Sequence, residues 1–287
     1  MRKITGDNFC ENIKYKLYRG VYEVLHPTIS KKNISSYKVV LDEKILPILA
    51  FYPKKVSSID SVIIYIPGNG KVNGSYGKYS DICNNLAKKC DRLVVAIDYF
   101  DKNIKYPATF DCVYDSVLYL IKNLQDNGIS LGKIALMGDS TGANIVGGIV
   151  SRLVENKIYI KNQILIYPVV KSRYLEFDPI DVNVTMNNNF DKRLVSYMNK
   201  YVTKRNVNNC EVDLMNRSDY NNYPRTLIIT GNLDILKDDG FEYSKKLIES
   251  DIECVYHNIK FAVHGFLGGN DQELIQEMYI KLEEFIK

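Results

Sequence analysis

The strongest constraint on this chain is a series of short apolar runs spaced a helix-length apart. SVIIYI (61–66), RLVVAID (92–98), KIALMG (133–138), QILIYPVV (163–170) and RTLIITG (225–231) read as strands, and IECVYHNIK (252–260) as the last one. A strand with one wet face alternates apolar and polar residues, so a continuous run such as SVIIYI marks a strand covered on both faces. Between the runs lie helical stretches: one near 77–90, one after Pro107, which suits a first helical turn, and one opening at the small-residue run STGAN. Two more, near 239–250 and 271–286, are strongly amphipathic. Strand and helix in alternation give a mainly parallel sheet wrapped on both sides, with ligands beyond the carboxyl ends of its strands.

Upstream, YKVVLD (37–42) and LPILAFY (46–52) read as two strands joined by a short polar turn, and residues 9–25 as a helix outside the main sheet. Residues 171–222 break the alternation. They sit between two core strands without a strand pattern and carry one helix, 190–204, with Phe190, Leu194, Tyr197, Met198 and Tyr201 on one side. An insertion of this size is usually a lid or cap. No linker-like run divides the chain, so its 287 residues read as one domain with an insertion.

Composition excludes several classes. The net charge is only +4, and the lysine pairs 31–32, 54–55 and 88–89 are scattered, which argues against a nucleic-acid partner. The six cysteines form no C-x-x-C and there are three histidines, so no metal spacing emerges and free thiols in a reducing compartment are expected. The opening MRKITGDNFC lacks an apolar signal core, and no run of about 18 apolar residues exists. The expectation is a soluble cytoplasmic protein without a membrane partner.

The chemistry-bearing residues fall at the ligand end of the sheet. Gly138-Asp139-Ser140-Thr141-Gly142 is a G-x-S-x-G element between a buried strand and a helix. Small residues on either side permit the tight turn that presents the Ser140 hydroxyl, and Thr141 N–H at the helix start can donate to an oxyanion. His264 follows the last strand and comes last in chain order, whereas His26 precedes a proline and His257 lies mid-strand. Asp234 directly follows the strand LIIT and is the candidate to orient the imidazole; Asp238 and Asp239 compete but stand where a helix should begin and acids act as caps. Pro67-Gly68-Asn69-Gly70 follows the third strand, where a glycine-rich loop can turn N–H groups toward a substrate, and it matches no phosphate-binding pattern.

These motifs together resemble the hormone-sensitive-lipase-like branch of the α/β-hydrolases over roughly residues 60–287. GDSTGAN (138–144) is similar to that family's GDSAGG turn, GNLDILKDDG (231–240) to its acid segment, HGF (264–266) to its histidine segment, and VVAIDYF with YPA (106–108) to the stretch after its fourth strand. The resemblance implies the α/β-hydrolase fold as a single domain over 1–287, with a helical cap from 1–35 and 171–222. It implies a carboxylesterase acting on small-molecule esters of short or medium acyl length, with Ser140 as nucleophile, His264 as base and Asp234 as acid. Gly68, Asn69 and Thr141 would form the oxyanion hole, and no cofactor or metal is needed. The chain departs from the family's His-Gly-Gly-Gly at Pro67 and Asn69, so support for that loop must come from elsewhere. A peptidase or amidase, and a ligand-binding receptor on a hydrolase scaffold, are the alternatives.

Overall fold

A computed structural model describes residues 36–39, 46, 48–53, 59–68, 77–99, 106–172 and 208–287. The helices expected over 9–25 and 190–204 lie outside these residues, as do Asn69 and, of the two segments expected to form a cap, all of 1–35 and most of 171–222.

Among the described residues eight strands form one sheet: β1 Ser36–Val39, β2 Ile48–Phe51, β3 Val62–Ile66, β4 Leu93–Ile97, β5 Ile134–Asp139, β6 Asn162–Ile166, β7 Arg225–Gly231 and β8 Cys254–Ile259. Their spatial order is β1-β2-β4-β3-β5-β6-β7-β8. β2 runs antiparallel to β1 and β4, and the pairs from β4 across to β8 are parallel. The helices are α1 Gly77–Cys90, α2 Ala108–Asp126, α3 Thr141–Glu155, α4 Lys237–Glu249 and α5 Gln272–Ile286. This is the mainly parallel, two-sided α/β sheet that the apolar runs predict.

The strands divide their side chains with period two. Ile63, Tyr65, Val94, Ala96, Ala135 and Met137 pack on one face against α1 and α5. Val62, Ile64, Leu93, Val95, Ile134 and Leu136 pack on the other against α2, α3 and α4. Both faces are dry, which is why these runs are apolar at every position. The chain winds from β3 out to β4, then returns past β3 to β5 and continues through β8. That reversal opens a crevice beyond the carboxyl ends of β3 and β5, and the GDSTG turn stands there.

One local expectation needs correction. The run 163–170 ends as a strand at Ile166, because Tyr167 turns the chain with φ 36° and Pro168 has no N–H for a ladder. The helix expected after Pro107 begins at Ala108, with Pro107 as its N-cap residue.

Candidate active site

Ser140 joins β5 to α3 with φ 54° and ψ −121°, a conformation that costs an L-residue about 1–3 kcal/mol. Packing holds it there. A Cβ on Gly142 would stand 2.2 Å from the Ile66 carbonyl oxygen, and one on Gly138 would stand 2.6 Å from the Gly142 carbonyl carbon. The two glycines let β5, α3 and the end of β3 approach one another, and the serine between them has no relaxed alternative. The Ser140 N–H donates to Ile166 O at 2.9 Å, and its carbonyl accepts from Asn144 and Val169 at 3.2 and 3.3 Å.

Asp234 and His264 come from neighbouring loops at the same end of the sheet. Leu233 N–H donates to Ala262 O at 2.9 Å, and Phe261 N–H to Asn232 Oδ1 at 2.6 Å. These bonds stitch the loop after β7 to the loop after β8. His264 Nδ1 lies 2.8 Å from Asp234 Oδ2, with side-chain exposures of 5% and 0%. The other oxygen, Oδ1, accepts the Leu236 N–H at 2.9 Å. An ionised carboxylate can only accept, so Nδ1 carries the proton and Nε2 keeps its lone pair. Ser140 Oγ is 2.8 Å from that Nε2. Such a chain can draw a proton from the serine hydroxyl onto an imidazole whose tautomer and orientation are fixed.

The competing acids and histidine stand elsewhere. Asp238 and Asp239 occupy the first turn of α4 and do not cap it; Leu236 is the N-cap residue, without a side-chain cap bond. Asp234, two residues before Leu236, takes the Leu236 N–H at 2.9 Å instead. Asp239 instead pairs with Lys171 at 2.6 Å. His257 is on β8, 2.6 Å from Glu277, and His26 lies outside the described residues.

Beneath the serine turn is a polar cluster that the sequence reading missed. Asp139 is buried, and its Oδ1 accepts from the Tyr65 hydroxyl at 2.5 Å and the Gly68 N–H at 2.7 Å. Its Oδ2 accepts from the Tyr167 hydroxyl at 3.3 Å. Burial raises the Asp139 carboxyl above its ordinary range, against the hydrogen bonds from Tyr65 and Gly68. Burial, then the Asp139 charge, pushes both tyrosine hydroxyls well up. The Tyr99 hydroxyl donates to Pro67 O at 2.8 Å, and the Tyr167 ring packs 4.8 Å from the His264 imidazole.

This cluster supplies the loop support that Pro67 cannot. It also occupies an expected oxyanion donor, because the Gly68 N–H is committed to Asp139. Thr141 is buried at the first position of α3, next to Ser140, and Asn69 lies outside the described residues. Among the described residues, no group of three or more His, Cys, Asp or Glu could hold a metal ion, and no helix is long and apolar enough to cross a membrane.

Comparison with known proteins agrees with this architecture. The chain is 25% identical to the arylesterase of Saccharolobus solfataricus, with 91% of this chain and 88% of that protein covered. It is 24% identical to arylacetamide deacetylase of Rattus norvegicus, over 86% of this chain and 78% of the relative. The hyperthermophilic esterase of Pyrobaculum calidifontis superposes with a TM-score of 0.72 at 23% identity, covering 100% of this chain and 92% of its own. The family model described as alpha/beta hydrolase fold matches residues 63–268, most of the chain and every element that carries the site. By that match, the protein belongs to the alpha/beta hydrolase fold family.

Proposed function

We propose that the protein is a serine carboxylesterase of small-molecule esters, with Ser140 as nucleophile, His264 as general base and Asp234 as the carboxylate that orients it. The observation that carries this reading is the continuous chain from Ser140 Oγ to His264 Nε2 and from His264 Nδ1 to Asp234 Oδ2, each link 2.8 Å. Ser140 attacks the ester carbonyl as its proton passes to Nε2, and the imidazolium that forms is stabilised by Asp234. His264 returns the proton to the departing alcohol. Water, activated by the same base, then releases the acid from the acyl-enzyme. The relatives named arylesterase and esterase support this reading.

Thr141 N–H and the loop amide of Asn69 are the proposed oxyanion donors, with Gly68 placed as the anchor of that loop through its bond to Asp139. The acyl preference we infer is short to medium. Tyr174, Phe177, Phe190, Tyr197 and Tyr201 in the insertion would line a closed apolar pocket, which suits a small substrate. A fluorophosphonate probe tests the nucleophile: the wild-type protein labels at Ser140 and Ser140→Ala does not, while labelling of both or neither refutes the assignment. An acyl series from acetyl to palmitoyl tests the pocket, and a maximum at octanoyl or beyond refutes the short-chain preference.

Amide hydrolysis is the second reading, favoured by the relative named arylacetamide deacetylase. The triad itself does not choose the leaving group. Matched phenyl acetate and acetanilide substrates separate the two: the ester reading requires the larger kcat/KM on phenyl acetate.

A further inference from the structure

The turn after β6 grips the serine and the histidine together. Tyr167 stands in it with φ 36°, a left-handed conformation that is an outlier for a bulky residue and persists only where the surroundings impose it. Its N–H donates to Ile229 O on β7 at 2.6 Å. Its neighbours in the turn hold Ser140 from both sides: Ile166 O accepts the Ser140 N–H at 2.9 Å, and the Val169 N–H donates to Ser140 O at 3.3 Å.

The side chain is held as firmly as the backbone. Tyr167 is buried, its hydroxyl donates to Asp139 Oδ2 at 3.3 Å, and its ring meets Phe266 edge to face at 5.2 Å and 77°. Against this fixed ring lies the His264 imidazole, with centroids 4.8 Å apart and planes inclined by 54°. One turn thus sets the serine through its backbone and the imidazole through a side chain.

An imidazole does not orient itself, because the outer torsion of a histidine is broad and roughly two-fold. Its partners must do so, and Ser140 Oγ on Nε2 and Asp234 Oδ2 on Nδ1, each at 2.8 Å, are two of them. On the proposed mechanism acylation removes the first, since Oγ becomes an ester oxygen with no proton to donate. The bond to Asp234 and the contact with the Tyr167 ring remain, while Nε2 must now face a water. We propose that Tyr167 is a positioning residue for the second half of the reaction, its ring holding His264 in the orientation that activates the deacylating water. This rests on the serine-esterase reading and adds a residue to one step of it. In that step Nε2 takes a proton from the water as the water oxygen attacks the acyl carbon. The bond from Oγ to the acyl carbon then breaks, Oγ takes the proton from Nε2, and the carboxylic acid leaves. Acylation should lean on the ring less, because the Ser140 hydroxyl itself holds Nε2 during that half.

Stopped-flow hydrolysis of p-nitrophenyl acetate separates the halves, with acylation read from the burst and deacylation from the steady phase. Protein is counted as the sites that a fluorophosphonate labels, so an unfolded fraction does not enter. Tyr167→Leu should slow deacylation by about tenfold and leave acylation within about threefold, so that kcat and KM fall together and kcat/KM holds. Tyr167→Phe keeps the ring and gives up the hydroxyl, and its deacylation should lie within about threefold of wild type. If the leucine variant loses the native circular dichroism, Tyr167→Met takes its place with the same expected split. Equal slowing of both halves, deacylation that the loss of the ring leaves unchanged, or a phenylalanine variant as slow as leucine would overturn the assignment. Ser140→Ala runs alongside. If it keeps burst and label, the triad reading itself fails and the role of Tyr167 with it; if it shows neither, those three outcomes bear on Tyr167 alone.

Discussion

Asp139→Ala is the most informative perturbation of the serine turn. It removes the acceptor of three buried donors at once: the Tyr65 hydroxyl at 2.5 Å, the Gly68 N–H at 2.7 Å and the Tyr167 hydroxyl at 3.3 Å. A buried donor left unpaired costs about 1–3 kcal/mol, so two short bonds and one long one amount to about 3–6 kcal/mol. Removing a carboxylate that burial disfavours returns part of this, leaving a net loss of about 2–4 kcal/mol. Against a typical stability of about 5–15 kcal/mol, the variant should fold but unfold at clearly lower urea. Asp139→Asn keeps the shape and one acceptor oxygen, and the Tyr167 hydroxyl can turn to accept from the amide, so its loss should stay under about 1.5 kcal/mol.

The same pair of proteins tests the buried charge. Burial raises the folded carboxyl above its ordinary value of 3.8, so above that pH the native state holds more protons than the unfolded chain. Stability therefore falls as pH rises from 3.8 toward the folded value, and Asp139 adds no further slope above it. Asp139→Asn lacks this titration and should gain on the wild type as pH is raised through that window. Urea midpoints followed by circular dichroism from pH 4 to pH 8 measure both effects. A cost below about 1 kcal/mol for alanine, or an asparagine-to-wild-type difference that does not change with pH, would refute the reasoning.

Ser140→Ala should leave a folded protein with esterase activity down by about 10⁴-fold or more, and a chromogenic ester assay retaining a tenth of wild-type kcat would refute the nucleophile. Asp234→Asn should cost about 10³- to 10⁴-fold in kcat, because an amide that donates to Nδ1 imposes the wrong tautomer. Asp238→Asn in the first turn of α4 should stay near wild type in the same assay. Gly142→Ala places a Cβ 2.2 Å from the Ile66 carbonyl oxygen, a backbone clash that should cost more than about 4 kcal/mol and be read as loss of the native thermal transition.

The parts of the fold legible in the sequence are those decided by local pattern. The strand expected over 225–231 is β7 to the residue, and the helix expected near 77–90 is α1, because a doubly covered strand and an amphipathic helix each write their burial into the chain. The strand over 163–170 was read too long for the same reason. Val169 and Val170 are fully buried, but in a loop that plugs the core, and apolarity alone does not distinguish that loop from a ladder. That Ser140, Asp234 and His264 lie within hydrogen-bond reach of one another was legible because each sits just past a strand end, and the fold brings those ends together. The acid cluster was not found, because Tyr65 and Tyr167 stand 74 and 28 residues from Asp139 and meet it only through the order β3-β5-β6. The one signal available was an aspartate between Gly138 and Ser140, a position with no room to be exposed.

That aspartate explains how the loop after β3 works without the side-chain support its first residue lacks. Pro67 has no N–H, but its carbonyl is held by Tyr99 and the next N–H by Asp139, so the entry to the loop is pinned on both sides. A Cβ on Gly68 would stand 2.9 Å from Asp139 Oδ2 and 3.0 Å from the Asp139 carbonyl oxygen, so a side chain at 68 would force the loop off its anchor. An N–H can serve one strong acceptor at a time, and on the proposed mechanism the loop must therefore present its oxyanion donor one residue later. On that mechanism, a full negative charge one residue from the proposed nucleophile would oppose an oxyanion there. Burial that favours the protonated acid, and three donors that disperse the charge when it is present, both soften that opposition. On the proposed mechanism the tyrosines of β3 and of the turn after β6, through their bonds to Asp139, would set the electrostatics of the site as well as its shape. Tyr65→Phe should then depress kcat more than it raises KM, whereas a purely structural tyrosine would move stability and leave both constants alone.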